Sequence, residues 1–128
     1  MKKLNFEKFT AIGGRFASNT ISLNRVGGFS FNAGFFRKNN IEEFPNVVLF
    51  FAKRNGVDII GFSFTKKKET GVLKLSRKGK TAAVRSNSFL QAYEINPKLY
   101  FGKYDPEEYE GQDSRKIFYI TLRKNDER

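Results

Sequence analysis

The sequence predicts a single domain that is mainly β, with two short helices set between its strands. Three observations lead to this prediction. Apolar residues occur in many short runs, each bounded by Gly, Asn, Asp or clustered charge. Fifteen phenylalanines among 128 residues supply enough apolar surface for one core. The dipeptide Asn55-Gly56, lying between two apolar runs, is the strongest short-range signal of a β-hairpin.

The predicted strands are short runs that alternate or are rich in β-branched and aromatic residues. The clearest pair is the hairpin formed by 47–53 and 57–65, because Asn55 and Gly56 both tolerate the positive φ of a two-residue turn. The other strands are predicted over 20–24, 28–31, 71–75, 81–85, 99–101 and 117–122.

Two short helices fit between these strands. Asn32 can cap a helix over 33–40, and Ser86 or Asn87 can cap a second helix over 88–94. Each helix is only about two turns long, so tertiary packing has to hold it.

Phenylalanines 29, 31, 35 and 36 lie in a segment that is rich in glycine and aromatic rings. Such rings can stack on the bases of single-stranded nucleic acid. Because a small domain without tryptophan needs bulky side chains for its core, we expect these four phenylalanines to be core residues.

An internal repeat is predicted, with units at about 20–65 and 72–122. Each unit reads as strand, glycine turn, strand, capped helix and hairpin. A unit of about 50 residues cannot bury enough apolar surface alone, so we expect both units to share one core as a pseudo-dimer. The aligned segments are 23–27 with 75–79, 32–36 with 86–90, 48–50 with 99–101, and 59–64 with 117–122, and Ile41 aligns with Ile95.

The unit resembles the swapped-hairpin DNA-binding fold of the AbrB, MazE and MraZ group. In that group a Gly-Arg dipeptide, a strand, a Pro, a short helix and a Gly-Ile exit precede a hairpin. Gly27, the strand residues 29–31, Asn32 in the Pro position and Ile41 match that order and spacing, although Gly27-Gly28 replaces Gly-Arg and the Pro is absent. The resemblance implies two β-β-α-β-β-like units that form a small pseudo-dimeric barrel with a DNA-binding face.

The charge of the chain indicates a polyanionic partner. Twenty-four Lys and Arg outnumber thirteen Asp and Glu, which gives a net charge of +11. The excess is concentrated in residues 66–100, with nine basic and two acidic side chains. Nucleic acid is the most frequent partner of such a domain. An anionic membrane surface, or a charge that serves solubility alone, is the alternative.

The candidate nucleic-acid-binding residues are basic side chains on predicted turns and strands, where they can reach phosphate. Lys74 is expected to share one strand face with Ser76, and Arg25 and Arg77 to hold equivalent turn positions. The alternative is a solvated linker with ordinary exposed turns. The full set is Lys66, Lys67, Lys68, Lys74, Arg77, Lys78, Lys80 and Arg85, with Arg25, Arg37 and Lys38 from the first unit, where Arg15 adds to the charge.

The composition argues against an enzyme. The chain has no Cys and no His, so thiolate chemistry, His-based triads and His-ligated zinc are excluded. No P-loop, dinucleotide fingerprint or nucleophile elbow occurs. The acidic segment 105–113 lacks the ligand spacing of a known ion loop and is predicted to be a solvated hairpin loop. We therefore expect no metal and no cofactor.

The sequence as a whole predicts a small, basic, non-enzymatic and regulator-like nucleic-acid-binding protein, with DNA favoured over RNA. The alternative is a protein–protein interaction module, antitoxin-like or scaffold, with an acidic partner; a second copy of the chain as partner stays open. The first residues, MKKLNFEKFT, lack the apolar run of a signal peptide, and no run is long enough to cross a bilayer. These features predict a cytoplasmic protein without a membrane partner.

Overall fold

The computed structural model describes residues 19–79, 81–110 and 115–125, and this part of the chain is mainly β, as predicted. It contains ten strands, three short helices and one 3₁₀ turn. In chain order they are β1 (Ile21–Leu23), β2 (Gly28–Phe31), α1 (Ala33–Lys38), the 3₁₀ turn Ile41–Glu43, β3 (Asn46–Arg54), β4 (Val57–Thr65), β5 (Val72–Lys74), β6 (Ser76–Lys78), β7 (Thr81–Arg85), α2 (Asn87–Ala92), α3 (Pro97–Tyr100), β8 (Gly102–Tyr104), β9 (Glu107–Glu110) and β10 (Lys116–Thr121).

The strands form two five-stranded antiparallel sheets. Sheet 1 has the order β6-β7-β2-β1-β8, and sheet 2 has the order β5-β3-β4-β10-β9. The chain changes sheet first between β2 and β3, through helix α1 and the 3₁₀ turn. It changes sheet again at two corners, through Leu75 between β5 and β6, and through Asp105-Pro106 between β8 and β9. Strands that bend from one sheet into the other form the corners of many two-sheet packings. Within the described residues, strand pairing stays inside the two sheets and does not close them into one barrel.

The core lies between the two sheets and consists largely of phenylalanine. The tetrapeptide Gly-Phe-Ser-Phe occurs in a central strand of each sheet, at 28–31 and at 61–64. The Phe62 ring meets the rings of Phe29 and Phe31 edge-on, with centroids 4.9 and 5.5 Å apart. All three side chains are fully buried. Edge-to-face packing is favourable for aromatic pairs, so the predicted core role of these phenylalanines is confirmed.

Helix α1 begins where the sequence predicts, at Asn32. The Asn32 side-chain oxygen accepts a hydrogen bond from the Phe35 N–H at 2.9 Å, which is the expected cap. The buried Phe35 ring packs edge-on against Phe118 of sheet 2 at 5.0 Å. Tertiary packing therefore holds this short helix, which ends at Lys38 rather than at residue 40.

The cap residue of helix α2 has a different role from Asn32. Ser86 precedes the helix, but its hydroxyl donates to the Gly27 carbonyl oxygen at 2.7 Å. Gly27 has a φ of +97°, and a Cβ there would lie 1.9 Å from the Asn87 side-chain oxygen. Only glycine fits this position, where the β1–β2 turn meets the start of α2.

The Asn-Gly hairpin is confirmed. Asn55 and Gly56 have φ values of +53° and +79°, and Arg54 pairs directly with Val57. Both positive φ values are those of a type I′ turn, whose twist matches that of the strands.

The strand predicted at 99–101 is wrong. Residues Pro97–Tyr100 form helix α3, and the following strand β8 begins at Gly102. Asn96 caps the helix by accepting a hydrogen bond from the Lys98 N–H at 3.0 Å, and Pro97 fills the first helical position. The alignment of 48–50 with 99–101 therefore joins a strand to a helix.

The acidic segment 105–113 is not a loop throughout. Residues Glu107–Glu110 form β9, which pairs with β10 at the edge of sheet 2. Lys116 lies 3.8 Å from Glu108, and the Tyr119 hydroxyl donates to Glu107 at 2.8 Å. Cross-strand partners thus offset the low strand propensity of glutamate. The rest of the predicted loop, residues 111–113, lies outside the described part of the chain.

None of the described helices is longer than six residues. In the part of the chain that the structure describes, no helix has the length and apolar character needed to cross a membrane.

Candidate nucleic-acid interface

The outer face of sheet 1 is built from small side chains. Phe29 and Phe31 of β2 point into the core, so Gly28 and Ser30 lie on the outer side. The strand register aligns residues of this outer face in one row across the sheet, in the order Ser76, Ala83, Ser30, Ser22 and Lys103. Because only Lys103 in this row is long, the middle of the face is flat.

Charge is segregated between the two sheets. The strands of sheet 1 contain four basic residues and no acidic one. Three of the four lie on the outer side of the sheet, because they alternate with core residues or pair with outer residues. These three, Lys78, Arg85 and Lys103, frame the flat face. The strands of sheet 2 contain four basic and four acidic residues. Among the strand residues, a net positive charge is therefore found on sheet 1 and not on sheet 2.

A cleft of about 800 Å³ opens beside this face. Lys74 and Arg85 both line it, and in the described part of the chain neither has a carboxylate within ion-pair distance. Ser76 lines the same cleft, but the prediction that Lys74 and Ser76 share one strand face is wrong, because the corner at Leu75 places Lys74 in β5 of sheet 2 and Ser76 in β6 of sheet 1. The fold thus brings together two predicted cations from different strands, β5 and β7.

One wall of the cleft is fixed by the β1–β2 turn. The Asn24 side-chain oxygen accepts hydrogen bonds from the N–H groups of Val26 and Gly28, at 3.0 and 2.9 Å. Val26 stands at the tip of the turn and is 77% exposed. These local bonds preform the turn, because the asparagine side chain satisfies its two backbone donors.

Arg25 and Arg77 do not share one face. Arg25 follows β1, at the end of sheet 1 where Gly28 pairs with Arg85. Arg77 pairs with Ala82, towards the opposite end of the sheet. Each guanidinium also lies over an aromatic ring. Arg25 is 4.3 Å from the centroid of Phe101, and Arg77 is 5.0 Å from that of Phe36.

Arg77 has further partners within the chain. Its Nη2 donates to the carbonyl oxygen of Phe44 at 2.7 Å and to that of Ile41 at 3.3 Å. It also lies in strand β6 rather than in the turn around Gly79. These contacts tie the edge of sheet 1 to the 3₁₀ turn Ile41–Glu43, so they give Arg77 a structural role.

The remaining predicted cations lie away from the outer face of sheet 1, with the exception of Lys78. Lys66 is 3.8 Å from Glu43 and lies over the Phe44 ring. The exposed Lys67 and Lys68 follow it in the β4–β5 loop, and the exposed Arg37 and Lys38 end helix α1. Lys80 and Arg15 lie outside the described residues.

Lys103 is the basic residue of this face that the sequence did not single out. It lies in the part of the chain with an acidic excess, and only the pairing of β8 with β1 brings it beside Ser22. Its strand is anchored by the buried Tyr104, whose hydroxyl donates to the Tyr100 carbonyl oxygen. Burial raises the pKa of the Tyr104 phenol above its ordinary value.

No family model, curated protein or solved structure matches this chain. What it binds has to follow from the chemistry of its surfaces.

Proposed function

We propose that this protein is a small, non-enzymatic, regulator-like nucleic-acid-binding protein that uses the outer face of sheet 1. The single observation that carries the proposal is the segregation of charge. The strands of sheet 1 hold basic residues and no acidic ones, while those of sheet 2 are balanced. A polyanion is attracted to such a face and repelled by none of its strands. DNA is preferred to RNA because of the resemblance to the swapped-hairpin group.

Binding proceeds through phosphate contacts. Lys74 and Arg85 in the cleft, with Lys78 and Lys103 around the flat face, neutralise phosphates and release their counterions. The row of serine and alanine carries no ring on which a base could stack. Phosphate contacts give affinity and position without reading base sequence.

The proposed fold is a duplication, in which two β-β-α-β-β-like units form one pseudo-dimeric domain resembling a small barrel. The strand orders support it. In sheet 1, exchanging the labels of hairpins β1–β2 and β6–β7 gives the same order β6-β7-β2-β1 read in reverse. In sheet 2, exchanging the labels of β3–β4 and β9–β10 does the same for β3-β4-β10-β9, so in each sheet the hairpins of the two units occupy equivalent places. The corners at Leu75 and at Asp105-Pro106 bring the chain from one sheet to the other at both edges, as in a flattened barrel.

The experiment measures binding of a short DNA duplex by fluorescence anisotropy over a series of salt concentrations. Wild-type affinity is expected to fall steeply with salt. The double variant Arg85→Ala/Lys103→Ala removes two phosphate contacts from the strands of sheet 1, so the log–log salt slope falls in magnitude by about 1.8. The matched control Arg54→Ala/Lys116→Ala removes the same charge from sheet 2 and leaves the slope near the wild-type value.

Absence of binding at low salt, or binding that is insensitive to salt, would refute the proposal. Equal losses in the two double variants would refute the assignment to sheet 1. RNA and single-stranded DNA of the same length, measured beside the duplex, test the preference for DNA.

A further inference from the structure

We propose that the cleft beside sheet 1 continues into a pocket for one nucleotide unit, whose phosphate lies at Lys74 and Arg85 and whose base lies against Phe89. This inference deepens the proposed function and rests on it, because the same two cations bind the phosphate. The pocket is a second cavity of about 400 Å³, and it shares Leu73, Arg85 and Asn87 with the cleft. We call this second cavity the base pocket.

The base pocket exists because two neighbouring strands diverge at a corner between the sheets. β6 pairs with β7 from Ser76 opposite Ala83 onward. Before Ser76 the chain passes through Leu75 from β5, and β5 pairs with β3 of sheet 2 instead. In the described part of the chain, the end of β7 at Arg85 therefore has no strand neighbour on that side. The cleft and the base pocket occupy the gap that this divergence opens.

The inner part of the base pocket is apolar and its rim is polar. Leu49, Leu73 and Phe89 line it from β3, β5 and α2, and all three are half-buried and packed against the core. Asn87 and Ser88 also line it and are exposed. Ligand sites in proteins commonly combine an apolar lining of this kind with a few polar groups.

Neighbouring rings hold Phe89 in place. The centroid of Tyr93 lies 5.1 Å from that of Phe89, and Tyr93 itself stacks on Phe51 of sheet 2 at 4.1 Å. The Phe89 ring is thus fixed before any ligand arrives. Binding then costs little side-chain ordering at this position, which favours affinity.

The combination of groups in the groove matches a nucleotide better than it matches simpler ligands. Inorganic phosphate would use the two cations and leave the apolar lining without a partner, and an apolar molecule would leave the cations without one. A nucleotide joins a phosphate to an aromatic base. Proteins recognise an unstacked base by contact with an aromatic ring and by hydrogen bonds to its edge, and Phe89 and Asn87 offer these two kinds of contact.

Arg85 occupies the junction of the two cavities, since it lines both of them. In the described part of the chain neither Arg85 nor Lys74 has a carboxylate within ion-pair distance. Both cations are therefore available to the phosphate of a nucleotide whose base occupies the adjoining pocket.

Two sources can supply this chemistry. One is an unpaired nucleotide at the end of a bound DNA, and the other is a free mononucleotide. A base inside a duplex is not available, because it stays stacked and paired unless energy is spent to extrude it. A blunt duplex that binds through phosphate contacts alone therefore does not use the base pocket.

The first arm of the test measures anisotropy of two labelled duplexes with the full chain. Each duplex ends in one unpaired nucleotide, which is a deoxyadenosine in one and an abasic deoxyribose in the other, so their phosphates are equal. The duplex with the base is expected to bind about fivefold more tightly, or better, because contact with an aromatic ring adds affinity. Duplexes with 5′ and with 3′ overhangs are compared, and a blunt duplex reports the phosphate contacts alone.

The second arm uses calorimetry of the full chain without DNA. The probe is 2′-deoxyadenosine 5′-monophosphate, and 2-deoxyribose 5-phosphate is the control that lacks the base. Binding of the nucleotide, but not of the sugar phosphate, assigns the pocket to a free ligand. A gain that appears only with the overhang assigns it to the unpaired end of a strand.

Variants connect either gain to the base pocket. Phe89→Leu keeps an apolar side chain but removes the ring, so it should abolish the base-dependent gain and leave the affinity for the blunt duplex unchanged. The matched control is Phe50→Leu, which removes a half-buried ring from sheet 2 and should keep the gain. If Phe89→Leu melts early, Ser88→Phe carries the same test, because it fills the pocket from an exposed position.

Equal binding of the base-bearing and abasic duplexes, together with no binding of the free nucleotide, overturns the proposal. A gain that persists in both Phe89→Leu and Ser88→Phe overturns it as well. The two proposals fail differently. Duplex binding without any base-dependent gain removes the base pocket alone, whereas base-dependent binding of the free nucleotide without duplex binding removes the proposed function alone.

Discussion

Replacing Arg77 separates the cations that hold this fold together from those available to a ligand. In the sequence Arg77 belongs to the basic run that also contains Lys74. In the structure its guanidinium donates to two carbonyl oxygens and lies over Phe36, whereas Lys74 faces the cleft. We therefore expect Arg77→Ala to lower stability and Lys74→Ala to lower affinity.

The expected cost of Arg77→Ala follows from its contacts. Hydrogen bonds from a charged donor contribute about 1.5–3 kcal/mol each, but water can replace the arginine at these partly exposed carbonyls, so the lower end applies to the pair. The ring contact adds about 0.5 kcal/mol at an exposed site. The loss of about 2 kcal/mol lowers the melting temperature of a domain of this size by about 8 °C.

Urea and thermal unfolding measure the change in stability, and the salt dependence of duplex binding measures the change in phosphate contacts. Lys74→Ala is expected to change the free energy of unfolding by less than about 0.5 kcal/mol and the salt slope by about 0.9. Arg77→Lys is the matched control, because it keeps the charge but cannot reproduce the planar fork. It should lose stability like the alanine variant while the salt slope stays near wild type.

The opposite pattern would refute this reasoning. If Arg77→Ala weakens binding as much as Lys74→Ala and leaves unfolding unchanged, the contacts to Ile41 and Phe44 are incidental. Arg77 would then belong to the binding surface, as the sequence alone suggests.

Two further predictions concern the core and the pH dependence. Phe62→Leu removes a fully buried ring with two edge-on partners, so it should lower the free energy of unfolding in urea by about 2–3 kcal/mol. Phe50→Leu, on the outer face of sheet 2, should lower it by less than about 1 kcal/mol. Equal losses would contradict the two-sheet core. Burial raises the pKa of the Tyr104 phenol, so the unfolded chain loses this proton at a lower pH than the folded chain. The contribution of Tyr104 to stability should therefore be constant below the ordinary phenol pKa of about 10 and fall above it. Tyr104→Phe should flatten that decline in urea unfolding at pH 9 to 11, and an unchanged slope would show that Tyr104 does not cause it.

Local signals in the sequence predict the elements that local physics decides. Asn55-Gly56 sets its own turn, and Asn32 caps its own helix, so both predictions are confirmed. Helix α3 had an equally local signal, since Asn96 and Pro97 form a helix start, but the apolar residues after them favoured a strand. The capped start therefore decides the local structure over the apolar run that follows it.

Strand β9 shows what local reasoning cannot supply. Its Glu-Glu-Tyr-Glu sequence has low strand propensity, and it forms a strand because β10 offers Lys116 and Tyr119 as partners. The candidate site is non-local in the same way. Lys74 and Arg85 line one cleft only because β5 and β7 lie on either side of a sheet corner, and Lys103 joins the face through β8.

The repeated Gly-Phe-Ser-Phe explains why the two sheets can share a core and still differ outside. In both copies the phenylalanines point inward and interlock, so the inner faces are nearly equivalent. Glycine and serine lie on the opposite side of the strand in both copies and are too small to define a surface, and Ser63 is itself buried. The neighbouring strands therefore decide the chemistry of each outer face. Around Ser30 these neighbours are Ser22 and Ala83 within a basic frame, whereas Gly61 lies between Phe50 and Tyr119. One repeated core element thus supports a polar, cationic face on one side of the molecule and a largely apolar face on the other.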